Sequence, residues 1–385
     1  MNNMLKSGSE EETKLKLSYK IGQINYGLLL LVSVVCGIGF AMLYSAASGD
    51  FQPWANRHAE RYVFGVIWLA LIAVLDIHVF FRLAYVLYGI SLLLLITVEF
   101  AGDIGMGAQR WVDFGFIRLQ PSELMKLSLV IALARYFHTR TYQEIGNPVY
   151  LIFPVFIVIV PVALVMRQPD LGTAGMILLS GLVMFFVAGV RMWKFIMLLL
   201  VGIGSIPVAW QFLLDYQKKR ILIFLNPEVD SLGAGYHLLQ SKIALGSGGM
   251  YGKGFMQGSQ SHLNFLPEKQ TDFIFTMLAE EFGLVGGLSV ILLFFLITCY
   301  GVAISFFVRS QFGRLLTLGM ITTLFLYVFI NIGMVMGLVP IVGVPLPFIS
   351  YGGSALLSSM TAIGLITCCY VHRDVVISRF GSGRN

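Results

Sequence analysis

The chain has 385 residues, 57% of them hydrophobic and only 12% charged, with a mean hydropathy of +0.82. A soluble domain with a solvated surface does not have that composition, so the chain reads as an integral membrane protein. The formal net charge of +6 would suit a nucleic-acid binder, but the Lys and Arg residues lie between apolar stretches and form no basic stripe interleaved with aromatics, so the charge reads as membrane topology.

A polar tail, 1–22, carries Glu10, Glu11, Glu12, Lys14, Lys16 and Lys20 and leads into an apolar stretch at 24–45. The small residues of YSAAS at its end raise a cleaved signal peptide as one reading. The stretch is longer than a usual signal core and many more follow, so an uncleaved first helix is expected. Nine further apolar stretches lie at 61–77, 83–101, 122–138, 149–166, 171–188, 194–213, 275–305, 315–337 and 350–371. The expected fold is all-α: one membrane domain, 23–372, of about ten transmembrane helices, with a short tail at 373–385.

With the N-terminus inside, 14 of the 26 Lys and Arg fall in cytoplasmic segments, and six of the others belong to one long stretch, 214–274, whose length weakens its vote. Both termini are therefore expected in the cytoplasm and 214–274 outside. That loop is too long to be idle and too aromatic for disorder, which makes it a functional candidate. Cys36, Cys299, Cys368 and Cys369 lie inside apolar segments without CxxC spacing, so neither a disulfide framework nor a metal site is signalled.

The charged residues at the outer side are where chemistry would be sought. GAQRWVDFGFIRLQPSELMK, 107–126, puts Arg110 and Arg118 before a span and Glu123 with Lys126 inside its first turns. Glu123 and Lys126 are three apart and share a helix face. They read either as a self-neutralised pair tethering helices or, with the two arginines upstream, as the wall of a polar cavity for an anionic ligand. RQPDLG, 167–172, holds Arg167 and Asp170 in a tight external turn, where a local salt bridge capping the next helix is the plain reading. GSGGMYGKG, 246–254, looks like a phosphate loop but has neither the glycine spacing nor the hydroxyl after Lys253, so it reads as a flexible turn or a close backbone approach.

Asp272, in TDFIF, stands at the external mouth of the eighth span. Glu268 and Lys269 precede it, and Glu280 and Glu281 follow on the same helix. It reads either as a helix-start carboxylate or as a general base facing Arg and Lys residues across a wet cavity. VGVPLPFISYGGS, 342–354, has too many Pro and Gly for a continuous helix and is expected to line the same cavity.

Seven of these stretches together resemble a known family: GAQRW at 107–111, QPSELMK at 120–126, QPDLG at 168–172, YHLLQSKIALGSGGMYGKGFMQGSQ at 236–260, FLPEKQTDFIF at 265–275, AEEFGLVGG at 279–287 and PLPFISYGGS at 345–354. They are similar, in order, to the SEDS membrane glycosyltransferases of bacterial wall synthesis, and GSQSHLNFLPE is similar to the elongation branch rather than the septal one. The first three spans match only in hydropathy. The resemblance implies ten spans, cytoplasmic termini in the bacterial inner membrane, and a functional loop between spans seven and eight.

It also implies a reaction: polymerisation of lipid II, with the lipid-linked glycan as donor and the 4-hydroxyl of a new disaccharide as nucleophile. An α-diphosphate donor and a β product mean inversion, which needs a base and a stabilised leaving group. Asp272 matches the family's essential aspartate and would be the base. Arg110, Arg118 and Lys126 would offset the diphosphate, Glu123 would orient Lys126, Asp170 would organise the external turn, and Gln240, Glu268 and Glu281 are further substrate-site candidates. A divalent cation, magnesium or manganese, is compatible with a diphosphate, but no ligand spacing marks a site for one. The implied partner is a class B penicillin-binding protein. Two other functions fit buried charge in a membrane: a flippase for the lipid-linked precursor, and a non-catalytic scaffold for wall synthesis. Crowding of the unusual polar residues on one side favours chemistry over transport.

Overall fold

The structure, a computed structural model, describes residues 17–101, 103–105, 108–113, 118–212, 215–226, 233–263 and 268–379. A short helix α1 (Leu17–Gly22) leads into α2 (Tyr26–Ala46), α3 (Ala55–Val74) and α4 (Ile77–Ala101). Three short strands follow, β1 (Asp103–Gly105), β2 (Ala108–Asp113) and β3 (Arg118–Leu119), paired antiparallel in that order. Next come α5 (Pro121–His138), α6 (Tyr142–Gly146), α7 (Pro148–Arg167), α8 (Leu171–Val187) and α9 (Met192–Phe212). The chain closes with α10 (Asp215–Leu225), α11 (Ala234–Ser247), α12 (Ser259–His262), α13 (Ile274–Phe307), α14 (Gln311–Val335) and α15 (Gly353–Val371).

Each of the ten expected stretches has a long helix at its place. Six of these helices are long and apolar enough to cross a membrane by length and composition: α2, α4, α7, α13, α14 and α15. Those outside that set include α3, with Arg57, Glu60 and Arg61, and α5, with Glu123, Lys126 and Arg135. Charge misplaced two starts in the sequence reading. Helix α3 begins at Ala55, before its charged first turns, and α4 begins at Ile77, well before the exposed Arg82.

Local signals set many of the boundaries. The Asn25 side chain accepts from the Leu28 amide at 3.2 Å to open α2. Pro121 begins α5 and Pro148 begins α7, where a missing amide costs nothing. Ser310 caps α14 through the Gly313 amide at 3.1 Å.

Helix α5 is the hub. Its side chains are buried almost throughout, and it packs on α4, α8 and α14. Helix α15 lies against α3 and α14, and α13 against α14 and α2. At the other extreme, α9 presents exposed apolar side chains along nearly its whole length, as a helix facing lipid does.

The stretch between α9 and α13, a functional candidate too aromatic for disorder, holds α10, α11 and α12. Helix α11 is bound to the core where Ser241 Oγ meets Thr276 Oγ1 at 2.7 Å and donates to the Val335 carbonyl at 2.9 Å. The three strands at 103–119 are the other element that the all-α expectation lacked.

Candidate active site

Residues 268–273 form a turn just ahead of α13, and Asp272 is half-buried in it. Glu268 starts the turn with φ of +55°, and its carbonyl accepts from the Thr271 amide at 3.0 Å. Its carboxylate folds back on the turn and takes the Thr271 hydroxyl at 3.0 Å. Glu268, a substrate-site candidate, is thus bonded within its own turn.

What fixes the turn comes from elsewhere in the chain. The Gln270 carbonyl accepts from the Tyr351 amide at 2.8 Å, the Thr271 carbonyl from Ser350 Oγ at 2.6 Å, and the Asp272 carbonyl from Asn331 Nδ2 at 2.9 Å. Three successive carbonyls are therefore anchored by α14 and by the Pro- and Gly-rich segment before α15. That segment also holds Phe348 at φ of +65°. A left-handed non-glycine residue costs of order 1–3 kcal/mol and persists only where surrounding contacts hold it, and two such residues flank this site. The N-cap of α13 is Phe273, so Asp272 stands one residue before the cap.

The wall opposite Asp272 belongs to the same segment. A Cβ placed on Gly343 would lie 3.4 Å from Asp272 Oδ2, and one on Gly172 would run into the Val342 carbonyl. The start of α8, the 342–343 backbone and the Asp272 carboxylate are thus neighbours. Asp170 caps α8, accepting from the Thr173 amide at 3.1 Å and the Thr173 hydroxyl at 2.9 Å. Arg167 extends instead toward Glu99, at 3.8 Å.

A second cluster joins α5, α14 and α15. Lys126 Nζ lies 2.7 Å from Glu123 Oε1 and also donates to the Tyr327 hydroxyl. Glu123 Oε2 accepts from Tyr327 OH and from Ser358 Oγ, each at 2.6 Å. Glu123 and Lys126 are 5% and 3% exposed, and their bonds tie α5 to α14 and α15. Tyr327 and Ser358 were missed in the sequence. A hydroxyl on an otherwise apolar helix face was the available signal.

The acidic residues further along α13 face other elements. Glu281 accepts from Ser45 Oγ of α2 at 2.5 Å, and Glu280 from Lys253 Nζ at 2.7 Å and the Gln260 amide at 2.9 Å. Nine chain positions separate Glu281 from Asp272, and the Glu281 carboxylate braces α2. Gln240 is half-buried on α11.

Helix α13 is interrupted at Gly283, with φ of +67°. The amides of Leu284 and Val285 bond the Gly249 and Met250 carbonyls at 2.9 and 3.1 Å, while the carbonyls of Glu280 and Glu281 accept from the Lys253 and Gly254 amides at 3.0 Å. A straight helix would pair those four groups with one another. The glycine-rich stretch, open to reading as a flexible turn or a close backbone approach, is the latter: a splint that completes a broken helix. No side chain fits at Gly252, where a Cβ would run into the Glu281 carbonyl.

Arg110 and Arg118 lie in β2 and β3, and their side chains are outside the described residues. The Arg61 guanidinium, not singled out in the sequence, stacks 4.6 Å from the ring centroid of Tyr351, the residue whose amide bonds the Gln270 carbonyl. Burial lowers the pKa of Lys269, three residues from Asp272. Among the described residues no group of three His, Cys, Asp or Glu is placed to hold a metal ion.

The FTSW_RODA_SPOVE family model, described as a cell cycle protein family, matches residues 26–374. The chain belongs to this family. The FtsW/RodA/SpoVE match takes in every helix from α2 to α15, including the first three spans, which the sequence motifs did not reach. The peptidoglycan glycosyltransferase MrdB of Escherichia coli K12 is 41% identical over 354 residues, covering 90% of this chain and 94% of that one. A solved chain described under structural coordination of polymerization and crosslinking by a peptidoglycan synthase complex superposes with a TM-score of 0.79 at 31% identity, covering 91% of this chain and 98% of that chain. The rod shape determining protein RodA of Thermus thermophilus superposes with a TM-score of 0.68 at 29% identity, over 91% of this chain and 97% of that one. As a member of the FtsW/RodA/SpoVE family, the chain is a multi-pass membrane protein.

Proposed function

We propose that this chain is a peptidoglycan glycosyltransferase that polymerises lipid II at the outer face of the bacterial cytoplasmic membrane during elongation, working with a class B penicillin-binding protein and with Asp272 as general base. The observation that carries this is the anchoring of three consecutive carbonyls around a half-buried aspartate. Such anchoring holds a carboxylate in one place before substrate arrives, and pre-positioned groups need no reorganisation during reaction. The names of the relatives and the charge bias of the loops support the same reading.

In the step proposed, the acceptor 4-hydroxyl gives its proton to Asp272. Its oxygen lone pair forms the new bond to C1 of the donor sugar on the face opposite the diphosphate, and the C1–O electron pair leaves with the lipid diphosphate. One displacement inverts the sugar and leaves no covalent enzyme intermediate. The leaving diphosphate needs cations, and Arg110 and Arg118 in the strand segment, with Arg61 beside Tyr351, are the residues proposed to supply them. Lys126 acts less directly, by tying α5 to α14 through Glu123 and Tyr327. The cytoplasmic placement of both termini belongs to the same proposal.

The test is glycan polymerisation from purified lipid II by the purified chain with its penicillin-binding partner, wild type against Asp272→Asn, with complex formation checked for both. Polymer from wild type alone supports the enzyme and its base. Equal polymer from both removes Asp272 from the chemistry, and none from either, with lipid crossing vesicles, makes the chain a flippase.

A further inference from the structure

Asn331 is fully buried on α14, in an otherwise apolar stretch of helix. Its amide nitrogen makes two bonds, to the Asp272 carbonyl at 2.9 Å and to the Val344 carbonyl at 2.7 Å. Its oxygen Oδ1 is buried with no hydrogen-bond partner among the described residues. A buried acceptor left unpaired is costly, so the side chain is present here for its two N–H donors. Those donors reach both sides of one small space: the residue that bears the carboxylate, and the backbone one residue beyond Gly343, whose Cβ position lies 3.4 Å from Asp272 Oδ2. One amide thereby sets the separation between the carboxylate and the wall it faces.

Ser350 repeats the device on the preceding residue. Its hydroxyl accepts from the Leu346 amide at 2.8 Å and donates to the Thr271 carbonyl at 2.6 Å. Tyr327 lies one turn before Asn331 on the same face of α14 and bonds Glu123, so a single helix face registers the Asp272 turn against the Glu123–Lys126 tether.

We propose that Asn331 is a positioning residue for the Asp272 carboxylate, with Ser350 as its second clamp, and this rests on the reading of Asp272 as the base. Neither side chain touches substrate. Each acts by holding the turn at the distance from its facing wall that proton transfer from the acceptor hydroxyl requires. Displacement of about 1 Å at a reacting group is enough for a loss of about 100-fold.

The experiment uses the full chain in complex with its penicillin-binding partner and purified lipid II. The variants are Asn331→Ala, Ser350→Ala, Ser350→Thr, Asp272→Asn and Thr323→Val. The last removes a buried hydroxyl that contacts Ser180 from α14, two turns before Asn331, and controls for bond loss on the same helix. The expected result is kcat lower by about 10- to 100-fold in Asn331→Ala and Ser350→Ala, with KM for lipid II within about twofold of wild type. Ser350→Thr should restore most of the rate and Thr323→Val should keep it, whatever each does to thermal stability. Ser350→Ala carries the test alone if Asn331→Ala does not fold. Wild-type kcat in the folded clamp variants, beside an inactive Asp272→Asn, overturns the clamp and leaves the enzyme standing. An equal loss in Thr323→Val overturns it as a mere effect of stability. An Asp272→Asn complex as active as wild type removes the base and the clamp together.

Discussion

Two carboxylates in this molecule are held by opposite means. Glu123 is gripped by its side chain: a lysine, a tyrosine and a serine from three helices reach its oxygens, and almost none of it is exposed. Asp272 is gripped by the main chain of its turn, which Tyr351, Ser350 and Asn331 fix through three carbonyls, and it remains half-buried. The first arrangement uses a charge to hold helices together. The second uses helices to hold a charge. Burial alone would rank Glu123 above Asp272 as a functional candidate; under the proposed function the carboxylate at work is the one whose turn is restrained through its backbone.

That contrast can be broken in several ways. The largest effect expected is Asp272→Asn, which should lower polymerisation by about 100- to 10,000-fold, the range a general base contributes, while thermal stability of the purified complex changes little. The counterpart at the tether should do the reverse in kind. Glu123→Gln leaves the Lys126 ammonium buried without its counter-charge and should cost about 3–5 kcal/mol of stability, read by thermal unfolding in detergent. The double variant Glu123→Gln with Lys126→Met should recover much of that loss. Failure to recover would mean that the tether is more than a neutralised pair.

A smaller effect is expected at Gly283→Ala. The left-handed backbone there costs a non-glycine residue about 1–3 kcal/mol, and the added methyl would enter the loop docked against it. Limited proteolysis should then cut the 249–254 segment faster than in wild type. The smallest is at Glu144 on α6. Bonds from the Thr141 amide and hydroxyl, with Arg379 and Arg140 nearby, hold its carboxyl below the ordinary glutamate range. A depressed acid favours the folded state above its unfolded pKa and loses that contribution as pH falls through the folded one. Wild type should therefore lose a slight stability increment over Glu144→Gln on acidification, and a pH-independent difference would remove Glu144 from that account.

The sequence made the helices legible because a 20-residue apolar run has few alternatives, and ends such as Pro121 and Pro148 announce themselves. It made Asp272 and the Glu123–Lys126 pair legible because charge in an apolar chain is conspicuous. Asn331 and Ser350 were not, since an amide and a hydroxyl in apolar surroundings have many possible uses, and the bonds that define theirs span 59 and 79 residues. Arg61 carries no signal of its own beside Arg57 and Glu60 in the first turns of α3. The bond from Ser45 of α2 to Glu281 spans 236 residues and was no more legible. The strands at 103–119 carry too little alternation to be read without their partners.

The splint at Gly283 also bears on how the molecule is made. Residues 249–254 leave the ribosome before the helix residues 280–285 to which they bond, so the earlier segment cannot complete its hydrogen bonding until the later one is in place. Helix α13 has no intact ladder to nucleate through its break without that earlier segment. The two therefore mature as one cooperative unit, and solvent exchange at the Leu284 and Val285 amides reports the attachment of the loop directly.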